Sequence, residues 1–459
     1  LSLSQDALGI LKKTFGERLL LNPKEVLPYG TDASSLFFKP DGVVFPVTKE
    51  EVLELLFLAD KFNFPLVSRG SGTSTTGSPL PVQGGIVVSF SKMNRILEVV
   101  PEERIVRVEP GVLNGDLKRY LRKFELFYPP DPASYAFSTI GGNVATCAGG
   151  PRGLKYGTTK DYVLSLEVAL PGGNLLKTGP ATLKGVVPYN LTSLFVGSEG
   201  TLGLIVEIVL KLLPYPQKRK LYLIFSPLET LALELITKTL LRGLTPATAE
   251  FVDKTTLKVI KDEVEKKFKT PSKLKAFEGL LFVEFDGSHE EVKRETETFE
   301  DLVKEQGMAY FSAEEEEDIE VLWEVRRNIS PSLFQLGRKK LADDVVVPRK
   351  RMSDFLMYLR DLEEAYGIAV ASFGHAGDGN FHVNILFNEG EEERAKSLRE
   401  RLLKKVLELF GSISGEHGVG FTKRPYVLWE LSPLQIEIMQ KLKALFDPKG
   451  LLNPQIKLP

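Results

Sequence analysis

Apolar positions change their spacing along the chain near residue 215. Up to about residue 213, short β-branched runs (GIVVSF, RIVRVEP, LEVALP and GLIVEIVLKLLP) alternate with turn signals, which is the pattern of short strands. Pro171-Gly172-Gly173-Asn174 separates two of them and predicts a turn between antiparallel strands. Ahead of these runs, LSLSQDALGILKKTFGERLL reads as an amphipathic helix. Thr48 with Glu51 forms a capping-box signature before VLELLFLADKF, predicting a helix that runs into a short strand at 65–68. Beyond Pro214 and Pro216 longer amphipathic helices take over, at about 228–242, 289–306, 314–336, 351–366 and 391–410, alternating with strands such as LLFVEF and HVNILF. The acidic run Glu314 to Glu317 reads as the solvated start of one of them. The last stretch, SPLQIEIMQKLKALFDPKGLLNP, predicts one helix ending at Asp447-Pro448. The class is α+β, with a first domain at 1–215, a second at 216–430 and a closing segment at 431–459.

Composition narrows the partners. With 43% hydrophobic and 26% charged residues the chain is ordinary globular material, and a formal charge of −2 gives no electrostatic reason to expect nucleic acid. No apolar run approaches the roughly 20 residues that span a bilayer, and the first residues lack a signal peptide's arrangement, so the expected location is cytoplasmic. The single cysteine, Cys147, excludes an internal disulfide and a self-contained cysteine-ligated iron–sulfur cluster.

Candidate chemistry concentrates in two places. Three of the four histidines fall in GHAGDGNFHVN at 374–384 and GEHGVG at 415–420. His375 and His382 flank a Gly-Asp-Gly turn signal, so a hairpin could bring both imidazoles together, with Asn384 on the same face as His382. Two imidazoles and a carboxylate suffice for a divalent metal with open positions. The second place is three glycine runs within the first 205 residues. Arg69-Gly70-Ser71-Gly72-Thr73-Ser74 follows a strand and presents backbone N–H groups without obstruction, as phosphate cradles do. It is neither a dinucleotide fingerprint nor a P-loop. Ser138-Thr139-Ile140-Gly141-Gly142-Asn143-Val144-Ala145-Thr146 is the second run, and Gly197-Ser198-Glu199-Gly200-Thr201-Leu202-Gly203, entering a strand, is the third. Three such runs are hard to explain as unrelated turns.

In order, RGSGTS, PPDPAS, STIGGNVAT, VGSEGTLG, FGHAGDGNFH, GEHGVG and LNP resemble the FAD-linked 2-hydroxyacid dehydrogenases of the vanillyl-alcohol-oxidase fold, in register from about residue 29 to 456. The resemblance implies an FAD-binding domain of two α+β subdomains and a C-terminal α+β substrate-binding cap. It places Arg69, Gly70, Ser71, Gly72, Thr73, Ser74, Pro130, Ser138, Thr139, Gly141, Gly142, Asn143, Ala145, Thr146, Gly200, Gly203, Ile205 and Asn453 around FAD. It makes His375, His382 and Glu416 ligands of a divalent metal such as zinc, His417 the base, Arg326 the partner of the substrate carboxylate and Asn384 an orienting residue. No histidine precedes His289, which implies noncovalent FAD, and Cys147 reads as a small semi-buried side chain. Ala342 stands closest to where some hydroxyglutarate enzymes carry a lysine, which weighs against a second substrate carboxylate.

The implied reaction is oxidation of a D-2-hydroxy acid or glycolate to the 2-oxo acid. An iron–sulfur subunit, a quinone or a cytochrome takes the electrons, and both a homodimer and a peripheral membrane location are compatible. Bland readings stand beside these roles. The late histidines could donate hydrogen bonds without metal, Arg326 could form a surface salt bridge with Glu324 or Asp318, Arg327 faces elsewhere, Trp323 reads as core, and Ser330 could add a hydroxyl to the pocket. Other functions left open are an ether-lipid type of flavin chemistry, a flavin-free metal hydrolase and a noncatalytic flavoprotein subunit.

Overall fold

A computed structural model describes residues 3–268 and 277–458. The chain forms two compact units. The first comprises Leu1–Gly149, Thr158–Tyr215 and Glu416–Pro459; the second comprises Gly150–Gly157 and Pro216–Gly415.

The first unit holds two main sheets. In one, strands Gly42–Val44, Ile86–Ser89 and Leu66–Arg69 run parallel, with Leu19–Leu20 antiparallel at the edge. Their alternate residues separate into two apolar layers. Val44, Leu66, Ile86 and Val88 pack under helix Lys49–Phe62 with its Val52, Leu55, Leu56 and Ala59, while Val43, Val67 and Val87 join Val26 on the other face. Thr48 caps that helix by accepting from the Glu51 N–H at 3.3 Å. The box closes only on this side. The Glu51 carboxylate turns instead to Arg18, at 2.5 and 2.6 Å, and to the Val47 N–H, because a two-pronged charged pair outweighs one neutral donor. The other sheet is antiparallel, in the order Ile96–Val100, Ile105–Val108, Leu204–Lys211, Val163–Leu170, Asn174–Lys177. Leu170 faces Asn174 across the predicted turn, where Gly172 and Gly173 both take φ of 78°.

The second unit is one seven-stranded antiparallel sheet. Its order is Ala309–Ala313, Lys218–Ser226, Gly279–Gly287, Thr248–Val252, Ala369–His375, Asn380–Phe387, Lys339–Val346. Helices Lys254–Phe268 and Glu316–Ser332 bury Leu257, Ile260, Leu322, Val325 and Ile329 against Val252, Phe282, Ala371, Phe373 and Leu386 on one face. On the opposite face Phe355 of helix Met352–Tyr366 meets Phe381, ring centroids 5.4 Å apart. The predicted acidic run does open a helix, at Glu316, and its charges are used. Arg219 pairs with Glu316, and Lys218 and Lys220 with Glu314.

The units divide the chain differently from the composition pattern in two places. Residues 150–157 join the second unit because Glu284 and Asp286 are buried carboxylates that need cations, and Arg152 reaches them at 3.1 and 3.0 Å. Lys155 and the Tyr156 hydroxyl also bind Asp286. The chain re-enters the first unit at Glu416 rather than after 430, because the 417–422 loop is hydrogen-bonded to Thr76 and Glu199.

Candidate functional site

In the first unit the three glycine runs converge. A Cβ on Gly70 would lie 2.3 Å from Thr139 Oγ1, so the first run touches the second. A Cβ on Gly200 would lie 2.2 Å from Ser68 Oγ and 3.0 Å from Asn453 Nδ2, which brings the third run and the C-terminal tail against the strand leading into the first. Asn453 fixes that corner. Its Oδ1 accepts from the Ser68 N–H at 2.9 Å and its Nδ2 donates to the Glu199 carbonyl at 2.8 Å. Thr139 caps the short helix Ile140–Thr146 by accepting from the Gly142 N–H, Gly141 packs on Pro110, and Gly203 packs on Val168. The Ala145 carbonyl accepts from Glu199, Thr146 Oγ1 donates to Gly142, and the Pro130 carbonyl accepts from Asn114. Ser74 bonds Thr76, Ile205 is buried in its strand, and Ser71, Gly72 and Thr73 complete the first loop.

Polar atoms in this cradle are left for a ligand. Arg69 Nη1, Ser138 Oγ and Asn143 Nδ2 are buried without a partner among the described residues, and a buried donor so placed costs about 1–3 kcal/mol unless something accepts from it. Burial also lowers the Arg69 guanidinium's pKa, opposed by Asp32. These donors and the small residues around them fit a phosphate-bearing cofactor. Cys147, in left-handed conformation at the end of helix Ile140–Thr146, contacts Thr158 Oγ1 at 3.6 Å and is half-buried.

The second unit builds a different kind of site. Strands Ala369–His375 and Asn380–Phe387 form the predicted hairpin around Gly377-Asp378-Gly379. Its register sets His382 opposite Phe373, and the two imidazole rings stand edge to face with centroids 5.0 Å apart. The Nε2 atoms of His375 and His382 are 3.4 Å apart. Each imidazole is backed on its Nδ1 side by a buried carboxylate. Glu250, opposite His375 in the neighbouring strand, hydrogen-bonds Nδ1 of His375. Asp344, opposite His382 in the other neighbour, has Oδ1 3.7 Å from Nδ1 of His382 and is itself held by Asn380 Nδ2 at 2.6 Å and the Gly415 N–H at 3.0 Å. Two nitrogens bound at about 2.0–2.1 Å to a tetrahedral ion stand about 3.3 Å apart, and imidazole ligands usually carry a carboxylate on the other nitrogen. The pair therefore fits a divalent metal.

Arg326 lies on helix Glu316–Ser332 and stacks over Phe373, its guanidinium carbon 4.6 Å from the ring centroid. Its partner is neither Glu324 nor Asp318. It is Glu250, which accepts from Nε at 2.6 Å and also meets Nη2. Burial alone would raise the Glu250 pKa, yet Arg326 and His375 together hold it down to about 2. Asn384 donates to the His382 carbonyl at 3.1 Å. Arg327 pairs with Glu320, while Trp323 stacks on Phe282 and donates to Glu284 at 2.9 Å, so both take their bland readings. Ser330 accepts from Lys340 Nζ at 2.9 Å. Lys340 shares its strand face with Ala342 and Asp344, and desolvation lowers its pKa.

Glu250 and Lys340 gave no motif, and Glu199, although inside the third glycine run, and Asp344 were given no role. Glu250 could have been noticed as a lone charge in the otherwise uncharged stretch ATAEFV, since a buried acid needs a partner. Glu416 and His417 belong to the first unit, 3.6 Å apart, with a Cβ on Gly149 falling 2.5 Å from Glu416 Oε2.

Residues 40–179 match the family described as "FAD binding domain", and residues 215–456 match "FAD linked oxidases, C-terminal domain". The chain belongs to the FAD-linked oxidases. It is 40% identical to the glycolate oxidase subunit GlcD of Bacillus subtilis, an alignment covering 93% of this chain and 91% of that one. It is 35% identical to a D-lactate dehydrogenase of Anaerostipes hadrus, covering 91% and 89%. Among solved structures, p-cresol methylhydroxylase with substrate bound superposes with a TM-score of 0.78 at 16% identity, covering 99% of this chain and 97% of that one, which shows the vanillyl-alcohol-oxidase fold. This member of the FAD-linked oxidases is thus an FAD-linked oxidoreductase. A flavin-free hydrolase is not favoured. Among the described residues no helix is long and apolar enough to cross a membrane.

Proposed function

We propose that this FAD-linked oxidase removes a hydride from the α-carbon of a small 2-hydroxy acid of the glycolate or D-lactate class, giving the 2-oxo acid. The observation that carries the reading is the pair of imidazole Nε2 atoms at 3.4 Å, each backed by a buried carboxylate, in a chain with an FAD-binding domain. When bound, noncovalent FAD supplies the two-electron acceptor and a divalent metal, zinc by the donor set, supplies a Lewis acid.

The chain's own residues do the rest. His375 and His382 hold the metal, with Glu416 as third ligand. Arg326 receives the substrate carboxylate. Its Nε and Nη2 are engaged by Glu250, which fixes the planar fork. Lys340 brings a second positive charge to the same sheet face, with Ser330 as its hydroxyl neighbour. Asn384 orients the substrate, and His417 accepts the hydroxyl proton as the carbonyl forms. Arg69, Ser138 and Asn143 donate to FAD.

The relatives named as glycolate oxidase subunits support a partner chain. The proposed electron acceptor is an iron–sulfur protein, a cytochrome or a membrane quinone, and the proposed location is cytoplasmic with peripheral membrane association. A homodimer is compatible with the reading.

The test is anaerobic. Purified protein should be yellow, and its flavin absorbance should bleach with glycolate or D-lactate faster than with L-lactate. Chelator should slow bleaching, and zinc should restore it. A yellow protein inert to every 2-hydroxy acid would sink the reaction; bleaching unchanged by chelator would remove the metal.

A further inference from the structure

We propose that Glu199 is a positioning residue that fixes the loop carrying Glu416 and His417 to the flavin cradle; this rests on the role given to His417 above. Glu199 is 2% exposed, and its backbone is left-handed at φ 55°. Every contact of its carboxylate is with a donor. Oε2 accepts from Ser78 Oγ at 2.6 Å and from the Gly420 N–H at 2.7 Å, while Oε1 accepts from the Val419 N–H at 2.9 Å and lies 3.3 Å from Lys457 Nζ.

The loop it grips is held at both ends by Thr76, a residue of the first glycine loop. Thr76 Oγ1 donates to the His417 carbonyl at 3.2 Å, and the Thr76 carbonyl accepts from Phe421 and Thr422 at 2.8 and 3.0 Å. Gly418 and Gly420 take φ of 80° and 55°, where a Cβ would lie 3.1 Å from the Glu199 carboxylate carbon and 2.2 Å from the Thr76 carbonyl. The backbone of Glu199 meanwhile donates to Ala145 at 2.7 Å and accepts from Asn453 at 2.8 Å. One buried acid therefore ties the second glycine run, the C-terminal tail and the base-bearing loop together. The His417 side chain is 38% exposed, and the backbone around it is held by Thr76 and Glu199. A misplacement of about 1 Å far from the reacting atoms can cost about 10²-fold in rate.

Glu199→Gln keeps the volume but aims an amide at groups that are themselves donors. In FAD-loaded Glu199→Gln, hydrogen exchange at the Val419 and Gly420 amides should speed up. The limiting rate of flavin reduction should fall by about 10²-fold, while the Kd values for FAD and for substrate change little. Wild-type exchange at these amides, or an unchanged limiting rate, would overturn the proposal. Loss of FAD binding in step with the rate would also overturn it, since that is a general structural role. If Glu199→Gln does not fold, Ser78→Ala removes one donor from the same carboxylate. It should shift exchange and rate the same way by a smaller factor, and unchanged values would count against the proposal. His417→Gln is the control. A wild-type rate there sinks the base assignment, yet leaves the exchange result on Glu199 readable.

Discussion

The two units build their candidate sites from different parts of the chain. In the first, backbone does the work: glycines at 70, 141, 200 and 203 let strands, loops and a helix start approach one another more closely than any side chain permits. In the second, side chains on one face of a sheet do it, with four neighbouring strands contributing Glu250 opposite His375 and Asp344 opposite His382. The lesson is about visibility. A backbone site writes glycine into contiguous sequence, while a sheet-face site spreads its partners over more than a hundred residues.

The contrast can be broken by mutation. The largest effect is expected at the proposed base. His417→Ala should lower the rate of flavin reduction by about 10²–10⁴ with little change in substrate binding, measured by rapid mixing. An equal loss in binding would mean that His417 holds substrate instead. Next is the side-chain site. Glu250→Gln leaves Arg326 and His375 without their buried counter-charge, and breaking such a pair costs about 3–5 kcal/mol in denaturant unfolding.

The same variant sharpens the comparison through pH. The Glu250 pKa is depressed in the folded chain, so its contribution is present above its unfolded value near 4.5 and fades as pH falls toward about 2. The acid limb of stability between those values should be shallower in Glu250→Gln. A smaller effect is expected in the backbone site. Gly70→Ala drives a methyl into Thr139 and should cost about 1–3 kcal/mol, read as weaker FAD retention with the histidine hairpin untouched. Smallest is Thr48→Ala, which removes only a helix cap and should lower the melting temperature by an amount equivalent to about 1 kcal/mol without altering either site.

Much of this was legible beforehand, for local reasons. The Gly-Asp-Gly signal sits between two strands that pair as a hairpin, and the 3.6-residue pattern located helices such as Glu229–Leu241 and Met352–Tyr366. Other parts were hidden. Asp343 and Asp344 are adjacent and chemically alike, yet strand alternation sends the first to Arg399 and the second to the side of His382. Arg326 had acids close by in sequence, and its true partner lies 76 residues away. Residues 150–157 carry glycines like the runs around them and pack instead with Glu284 and Asp286.

The sequence by itself determined the elements, the glycine loops and the pair of histidines around a turn, because each depends on residues within a few positions of one another. Only the tertiary structure decided which carboxylate lies beside which imidazole and which acid bonds to the His417 loop. The first choice turns on strand order and register, since a one-residue slip would move those strand side chains to the opposite face. The second turns on loop contacts that bring the Glu199 carboxylate to the Val419 and Gly420 amides.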